Sequence, residues 1–341
     1  MADRILLTGG AGYIGSHIYL DLVAAGFDPV IYDNFSNADV AVLDALKQIT
    51  QRRVDVVRAD VRNGTALRAV LSRGGFAGVI HLAALKSVPE SVSSPRAYFD
   101  NNLGGLITLM QAMDDAGVNR LVFSSSATVY GTPETVPIPE TAGRDYTNPY
   151  GFTKLASEQM LEMVAAAEPR WSIGALRYFN PAGAHSSGLI GETPSEKTTN
   201  LFPAIARVAL GQLPRLTVFG DDYDTPDGSA ERDFIHIEDL AAGHVLSLRR
   251  LIEDGHSHCV NLGTGRGHTV LEVLHAFAKA SGQEIPHVLA PRRPGDVARS
   301  VADPAMAETV LGFRARRSLE EMCKSTWRML EQTHPGARDA A

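Results

Sequence analysis

Cysteine is nearly absent from this sequence, a basic surplus is missing, and no apolar run is long. Cys259 and Cys323 are its only cysteines, and they form no metal-ligand spacing. That count argues against a disulfide scaffold and suits a reducing compartment. No apolar stretch reaches bilayer-spanning length. Met1 leads directly into a first strand, with no room for a secretion signal. The expectation is a cytoplasmic protein without a membrane partner. Acidic residues outnumber basic ones by 39 to 32, for a formal net charge of −7. Such a chain repels nucleic acid and anionic membrane surfaces, so an anionic ligand has to be met by local basic groups. Internal repeats and low-complexity segments are also lacking. What remains is an ordinary globular composition, 44% hydrophobic and 21% charged, over 341 residues. That length holds one large domain or two moderate ones.

The stretch Thr8-Gly9-Gly10-Ala11-Gly12-Tyr13-Ile14-Gly15 organises the chain. An apolar strand precedes it at residues 4–7, and Ile14, Ile18 and Leu22 follow at helical spacing. The strand therefore turns through glycines into a helix. Such a turn bends sharply and lets a ligand approach the backbone, and the helix behind it offers unpaired N–H groups and a positive dipole end. A pyrophosphate fits that description. The spacing reads as Gly10-x-Gly12-x-x-Gly15, or with Gly9 in first place, the dinucleotide fingerprint in its strand–turn–helix context.

Further strands are expected at residues 29–32, 54–58, 77–84, 121–123 and 171–178, with helices between them. Continuous apolar strands separated by helices predict a doubly wound, Rossmann-type α/β fold with a parallel sheet covered on both faces. Helices at 96–116 and 149–167 carry wide apolar stripes, including Leu106, Met110, Met160 and Met163. These either pack on the sheet or form a helix-bundle contact between two copies. After residue 180 the texture changes to short elements: helices at 203–210, 238–251, 270–280 and 319–331, and strands at 216–219 and 259–262. The expected division is a dinucleotide-binding domain at 1–180 and a smaller mixed α/β lobe at 181–341, with a frayed tail from about 334.

Asp33 ends the second strand, where a carboxylate accepts hydrogen bonds from a ribose diol and repels a 2′-phosphate. This favours NAD over NADP. Asp60, ending the third strand, is a weaker candidate for the adenine side. Ser124-Ser125-Ser126 end the fifth strand, and Tyr150 and Lys154 share one helix face. A nearby ammonium stabilises a phenolate, so a proton-carrying tyrosine assisted by a serine is expected. Arg232 and Arg293 stand out in an acidic protein, and guanidinium forks match phosphate oxygens. Asn180 and Asn200 add neutral donors. Other features are read as structural. Adjacent residues of His256-Ser257-His258-Cys259 point to opposite faces, so no metal is expected there. His81 reads as a satisfied core histidine, and residues 314–317 as solvated surface.

The glycine stretch, Ser124-Ser125-Ser126-Ala127-Thr128-Val129-Tyr130-Gly131 and Tyr150-x-x-x-Lys154 resemble the extended short-chain dehydrogenase/reductase superfamily. Further segments resemble its UDP-glucose 4-epimerase family: Asp33-Asn34, Ala83-Ala84-Leu85-Lys86, Asp100-Asn101-Asn102, the run from Arg177 to His185, Arg232-Asp233-Phe234-Ile235-His236, Asn261-Leu262-Gly263-Thr264-Gly265 and Pro291-Arg292-Arg293-Pro294-Gly295-Asp296. The resemblance spans residues 4–330. It implies a homodimer that epimerises a UDP-hexose at C4 through a 4-keto intermediate. It implies NAD contacts from Gly9, Gly12, Tyr13, Ile14, Gly15, Asp33, Asn34, Asn37, Asp60, Val61, Lys86, Asn101, Ser124, Tyr150, Lys154 and Tyr178. Catalysis is implied for Ser126, Tyr150 and Lys154. Lys86, Ser126, Tyr150, Tyr178 and Phe179 would contact the sugar, and Asn180, Asn200, Leu201, Phe219, Arg232, Arg293 and Asp296 would hold UDP. Ser300 stands where the family varies: a tyrosine there goes with UDP-glucose and UDP-galactose alone, a small residue with their N-acetyl forms as well. The competing expectation is that Arg299 swings in and fills the gap. Two rival readings are a sugar-nucleotide 4,6-dehydratase and a non-catalytic NAD-binding regulator. The dehydratases place Asp-Glu where this chain has Ala127-Thr128, and a regulator has no need of both Tyr150 and Lys154.

Overall fold

The computed structural model describes residues 2–194, 200–293 and 295–334. The expected frayed tail, His334 apart, lies outside them, as does Pro294 of the arginine loop. The first part of the chain runs β1 (Arg4–Thr8), α1 (Tyr13–Ala24), β2 (Asp28–Asp33), α2 (Ala41–Thr50), β3 (Asp55–Arg58), α3 (Gly64–Leu71), β4 (Phe76–His81), α4 (Val88–Ser93), α5 (Pro95–Tyr98), a π-helical stretch (Phe99–Gly104), α6 (Gly105–Asp115), β5 (Arg120–Ser124), a 3₁₀ turn (Ala127–Val129), α7 (Pro149–Ala167) and β6 (Ser172–Tyr178). The remainder runs β7 (Asn180–Ala182), α8 (Leu201–Ala209), β8 (Leu216–Phe219), β9 (Glu231–His236), α9 (Ile237–Asp254), β10 (His258–Leu262), β11 (Gly267–Thr269), α10 (Val270–Ser281), β12 (His287–Ala290), β13 (Arg299–Ser300), α11 (Ala305–Leu311) and α12 (Leu319–Thr333).

Seven parallel strands form one sheet in the order β3-β2-β1-β4-β5-β6-β10. Strand order reverses beside β1, and an open α/β sheet binds its ligand at that switch point. The apolar runs are continuous because both faces are covered. In β1, Ile5 and Leu7 join one core with Ile18 and Leu22 of α1 and Leu240 and Leu248 of α9. Leu6 joins the opposite core with Leu67 of α3, Leu109 and Met113 of α6 and Leu161 of α7. Burying such a side chain stabilises the fold by about 1.5–3 kcal/mol.

Residues on both sides of position 181 build this sheet. β10 pairs in parallel with β6 and closes the edge, and α9 packs on α1. The strand and helix that sequence texture places in the second lobe thus return to the first layer. β10 buries Val260, Asn261 and Leu262 completely, which an edge strand achieves only under a covering layer. The other elements pack α8, α10 and α12 around a small sheet in which β9 pairs with β7, β11 and β13.

The helix expected at 96–116 is broken by the π-helical stretch. The Asn102 side chain leaves the helix surface to donate to the Leu85 carbonyl (3.1 Å) and accept from the Leu85 N–H (2.8 Å). A wide turn there accommodates that detour. Gly105 follows because a Cβ would sit 2.6 Å from a Val61 methyl. The stripes also need correction. Leu106 is 0% and Met110 9% exposed, both inside the core, so neither is available to a second copy. Phe99 at 37%, Ile107 at 43% and Met163 at 71% are the exposed large apolar residues of these stretches.

A buried ion pair ties α7 to the sheet. Glu158 and Arg177 side chains are 1% and 3% exposed, with Nη2 to Oε2 at 2.7 Å and Nε to Oε1 at 3.0 Å. Ser125 donates to the same carboxylate. Arg177 Nη1 donates to the Tyr130 hydroxyl (3.0 Å), which donates to Asn261 of β10 (2.6 Å). Removing one partner of such a pair strands the other charge in a dry site. Glu158→Ala should lower unfolding stability by about 3–5 kcal/mol in denaturant titration; a loss below about 1 kcal/mol, the scale of exposed pairs, shows that the pair carries little.

Candidate active site

The glycine turn is built by exclusion. Gly9 has φ +72°, and a Cβ on it would lie 2.8 Å from the Ala83 nitrogen. A Cβ on Gly15 would lie 2.3 Å from the Gly9 carbonyl oxygen. Backbone therefore packs on backbone, and only glycine fits. Gly12 caps α1 without a side-chain bond, and the first turn of that helix carries no acidic residue. Among the described residues a Cβ on Gly12 would meet only the Gly9 carbonyl oxygen, at 3.4 Å, so the backbone is open to approach at that point. Tyr13 and Ile14 open the helix. The Tyr13 hydroxyl donates to the Gly183 carbonyl at 2.7 Å and links the turn to the chain beyond β7.

Asp33 closes β2 beside this turn. Its carboxylate accepts from the N–H groups of Ala11 (3.0 Å) and Phe35 (2.8 Å). Burial raises its pKa, and those N–H groups oppose the rise. Two donors leave lone pairs for a diol. Asn34 is exposed and donates to Asp60 at 3.0 Å, and Asn37 is exposed further along the loop. Arg62 bonds both Asp60 oxygens at 2.8 Å and holds that carboxyl well below the usual range. Val61 is buried against Gly105, and Asn101 donates to Asn102 at 3.0 Å from the π-helical stretch.

Tyr150 and Lys154 project from the first turns of α7, which Asn148 caps through the Gly151 N–H (2.9 Å). The tyrosine is buried, and burial pushes its phenol up to about 12, with the Ser126 hydroxyl as the neighbour that lowers it. Lys154, expected to tune the phenol, also meets the end of β5. Its ammonium donates to the Ser124 carbonyl at 2.6 Å and lies 6.0 Å from the Tyr150 ring centre. Burial lowers it to about 8, with Glu158 opposing. The ammonium serves the strand end first because a buried carbonyl sits closer than the phenol. The Ser124 hydroxyl pairs with His244 of α9 (2.9 Å), so this residue presents its carbonyl, not its side chain, to the lysine. Tyr178 ends β6 near Tyr150, its phenol also raised by burial, with its ring 6.0 Å from His244. His81 bonds Thr8 at 2.7 Å and is held neutral by burial, with a pKa of about 3.

The next residues leave this sheet for the second. Phe179 is buried under Val129 and Leu155, and Asn180 begins β7, donating to the Asp233 carbonyl at 3.2 Å. Among the described residues Arg232 on β9 bonds only carbonyls, those of Glu231 (2.9 Å) and Ala298 (3.4 Å). Burial lowers its pKa, with Asp296 opposing. Arg293 lies 3.8 Å over the Phe219 ring. Among the described residues no carboxylate stands within ion-pair distance of Arg232 or Arg293. Leu201 starts α8 against the second core. Ser300 pairs in register with Arg232, and Arg299 points the other way, its Nε 2.6 Å from Glu231. The side chain expected to fill the space beside Ser300 is therefore tied elsewhere.

Sequence reasoning missed four positioning residues. Asn102 bonds Thr153 of α7 at 3.0 Å, and Glu158 lies one turn beyond Lys154, a spacing that was readable. His244 was hidden in an ordinary amphipathic helix. Glu192 accepts from Lys86 (3.2 Å) and Asn200 (3.3 Å), bringing two candidate ligand residues together across an aperiodic segment that gives no local signal.

Residues 6–326 match the family model for GDP-mannose 4,6 dehydratase. A UDP-glucose 4-epimerase from Bacillus subtilis (strain 168) is 48% identical over 336 residues, covering 98% of this chain and 99% of the relative. The fold is similar to that of the UDP-glucose 4-epimerase from Stenotrophomonas maltophila, solved with bound NAD and formylated UDP-arabinopyranose: TM-score 0.95, 47% identity, 99% of this chain and 100% of that one. It is also similar to that of the Bifidobacterium longum enzyme in complex with NAD+ and UDP: TM-score 0.93, 44% identity, 98% and 99% coverage. The dehydratase model spans the common fold, and the relatives matching over nearly their whole length narrow it: this chain belongs to the UDP-glucose 4-epimerase family.

Proposed function

We propose that this chain interconverts UDP-galactose and UDP-glucose by NAD-dependent epimerisation at C4 of the hexose. The observation that carries the reading is the buried Tyr150 phenol with Ser126 as its hydroxyl neighbour, at the sheet end that also bears the glycine turn. The open backbone at Gly12 fits a pyrophosphate, and Asp33 fits a ribose diol. The dinucleotide would be held by Gly9, Gly12, Tyr13, Ile14, Gly15, Asp33, Asn34, Asn37, Asp60, Val61, Lys86, Asn101, Ser124 and Tyr178. NAD, when bound, supplies the hydride carrier for C4 and, when oxidised, a positive charge. Tyr150 takes the proton from O4 and returns it, Ser126 relays or orients that hydroxyl, and Lys154 holds the strand end behind them. Arg232 and Arg293 take the diphosphate, which ends the exposure of a buried guanidinium to carbonyls alone. Asn180, Asn200, Leu201, Phe219 and Asp296 complete the UDP clamp. Lys86, Tyr178 and Phe179 border the sugar. Ala127 and Thr128 carry no carboxylate for elimination across C5–C6, which separates this reading from the dehydratase one.

We assign residues 1–180 together with α9 and β10 to the NAD-binding lobe and the rest to the UDP-sugar lobe. The working form is a cytoplasmic homodimer, with Ile107 and Met163 supplying exposed apolar surface on α6 and α7. The remote nucleotide carries the binding energy, leaving the hexose free to turn.

Purified protein given UDP-galactose should form UDP-glucose, and Tyr150→Phe should lower turnover by about 10²–10⁴-fold with little change in UDP affinity. Ultraviolet titration should reveal no Tyr150 phenolate in ligand-free protein between about pH 6 and 9. A phenolate titrating near neutrality there would show that the chain alone tunes the group. Near-normal turnover of Tyr150→Phe sinks the assignment. Cofactor-stripped protein should regain activity with NAD and poorly with NADP, because Asp33 repels a 2′-phosphate; equal rescue removes that role. UDP-N-acetylglucosamine and its galacto epimer should also interconvert, since Ser300 leaves room that Arg299 does not fill. Ser300→Tyr should abolish that reaction by steric exclusion and spare the other, read as kcat/KM for both pairs. Undetectable N-acetyl turnover in the parent refutes the open pocket.

A further inference from the structure

We infer that a second anion-binding site lies in the cleft between β11, α10 and α12, and that it takes a small organic phosphate. The cleft encloses about 650 Å³, within the roughly 300–1,000 Å³ of small-ligand sites. None of the residues assigned to NAD or the UDP-sugar lines it. Its floor is apolar, formed by Phe234, Ala276 and Met322. Its rim is cationic: Arg266 from the loop before β11, Lys279 from the end of α10 and Arg316 from the segment before α12. All three are exposed, and among the described residues none has a carboxylate within ion-pair distance. The other charged groups on the rim are already paired. Arg317 engages Glu238 and Asp239, and Lys324 engages Glu320, the carboxylate that lines the cleft.

Three unpaired cations around one cavity run against the composition of a chain with net charge −7. Glu320 offsets part of the charge of Lys279, the like charges that remain repel one another, and an anion between them removes that cost. Two of the three are guanidinium forks, which suit a tetrahedral dianion better than a point charge does. The apolar floor calls for an organic body attached to that dianion. A polyanion is disfavoured by the chain's net charge of −7, which repels its remaining charges.

The test uses the full chain saturated with NAD and UDP, so that the nucleotide site is filled. Phenyl phosphate is titrated in by calorimetry, with inorganic phosphate and phenol as separate probes. Phenyl phosphate should bind with one-to-one stoichiometry, more tightly than inorganic phosphate, and phenol should not bind. The triple variant Arg266→Gln/Lys279→Gln/Arg316→Gln should bind phenyl phosphate at least about tenfold more weakly, since charge-assisted bonds are lost. Its thermal unfolding and its conversion of UDP-galactose should match the parent. Arg232→Gln should leave phenyl phosphate binding unchanged. The inference is overturned by absence of binding to the parent, by equal affinity in the triple variant, or by loss of binding in Arg232→Gln, which would place the probe in the nucleotide site. Inorganic phosphate binding as tightly as phenyl phosphate would remove the organic body from the ligand.

Discussion

The bidentate pair between Glu158 and Arg177 is the contact on which the candidate site depends. Burying two charges is costly, and a pair of this kind persists only where geometry and further hydrogen bonds compensate. Here the carboxylate takes Nε and Nη2 of the guanidinium and the Ser125 hydroxyl, and Nη1 adds Tyr130 and the Glu140 carbonyl (3.0 Å). The result fixes the rotation of α7 against β5 and β6. Lys154 lies one turn before Glu158 and Tyr150 two turns before it, so all three share a face that the ion pair aims at the sheet. The strand on the far side, β10, enters the same network through Asn261. A later segment of the chain thus stiffens a site whose reacting groups all come earlier.

The site holds its titratable groups away from their ordinary states. Burial lowers Lys154 and Arg232 and raises Tyr150 and Tyr178. All four are under-solvated by burial. A site that arranges polar groups before the ligand arrives avoids reorganising them during reaction. The direction of the Tyr150 shift also says what the chain alone does not do. It does not lower the phenol: the nearest ammonium donates to the Ser124 carbonyl, and burial favours the protonated form.

Much of the architecture was legible because its causes are local. Ile5-Leu6-Leu7 alternates between two covered faces, and both are apolar, so a parallel sheet follows from three residues. The glycine turn was legible because backbone contacts as close as those at Gly9 and Gly15 permit no Cβ. What the sequence concealed depends on partners distant along the chain. α9 and β10 look like other short elements until their pairing with α1 and β6 is known. The stripe at Leu106 and Met110 is wide because α3 and β5 both press on α6, which periodicity alone cannot distinguish from a second copy. The π-helical stretch follows from Asn102 reaching back to Leu85, and Lys154 from a carbonyl on another strand. The sequence therefore names candidate residues, and the fold says which of them touch.

The step from Tyr178 to Asn180 explains how the two halves cooperate. Tyr178 ends β6 of the large sheet, and Asn180 begins β7 of the small one, in register with Phe234 of β9. Arg232 lies two residues earlier on β9, and Ser300 of β13 pairs with it. Groups assigned to the sugar, the diphosphate and the pocket wall thus hang from adjoining strand positions instead of from a hinge. Their spacing is set by β-pairing, which resists a shift of one residue because that would turn every side chain to the other face. The same alternation puts Arg299 against Glu231 and Ser300 beside Arg232. Strand register alone thus decides that Ser300, and not Arg299, shares a face with Arg232.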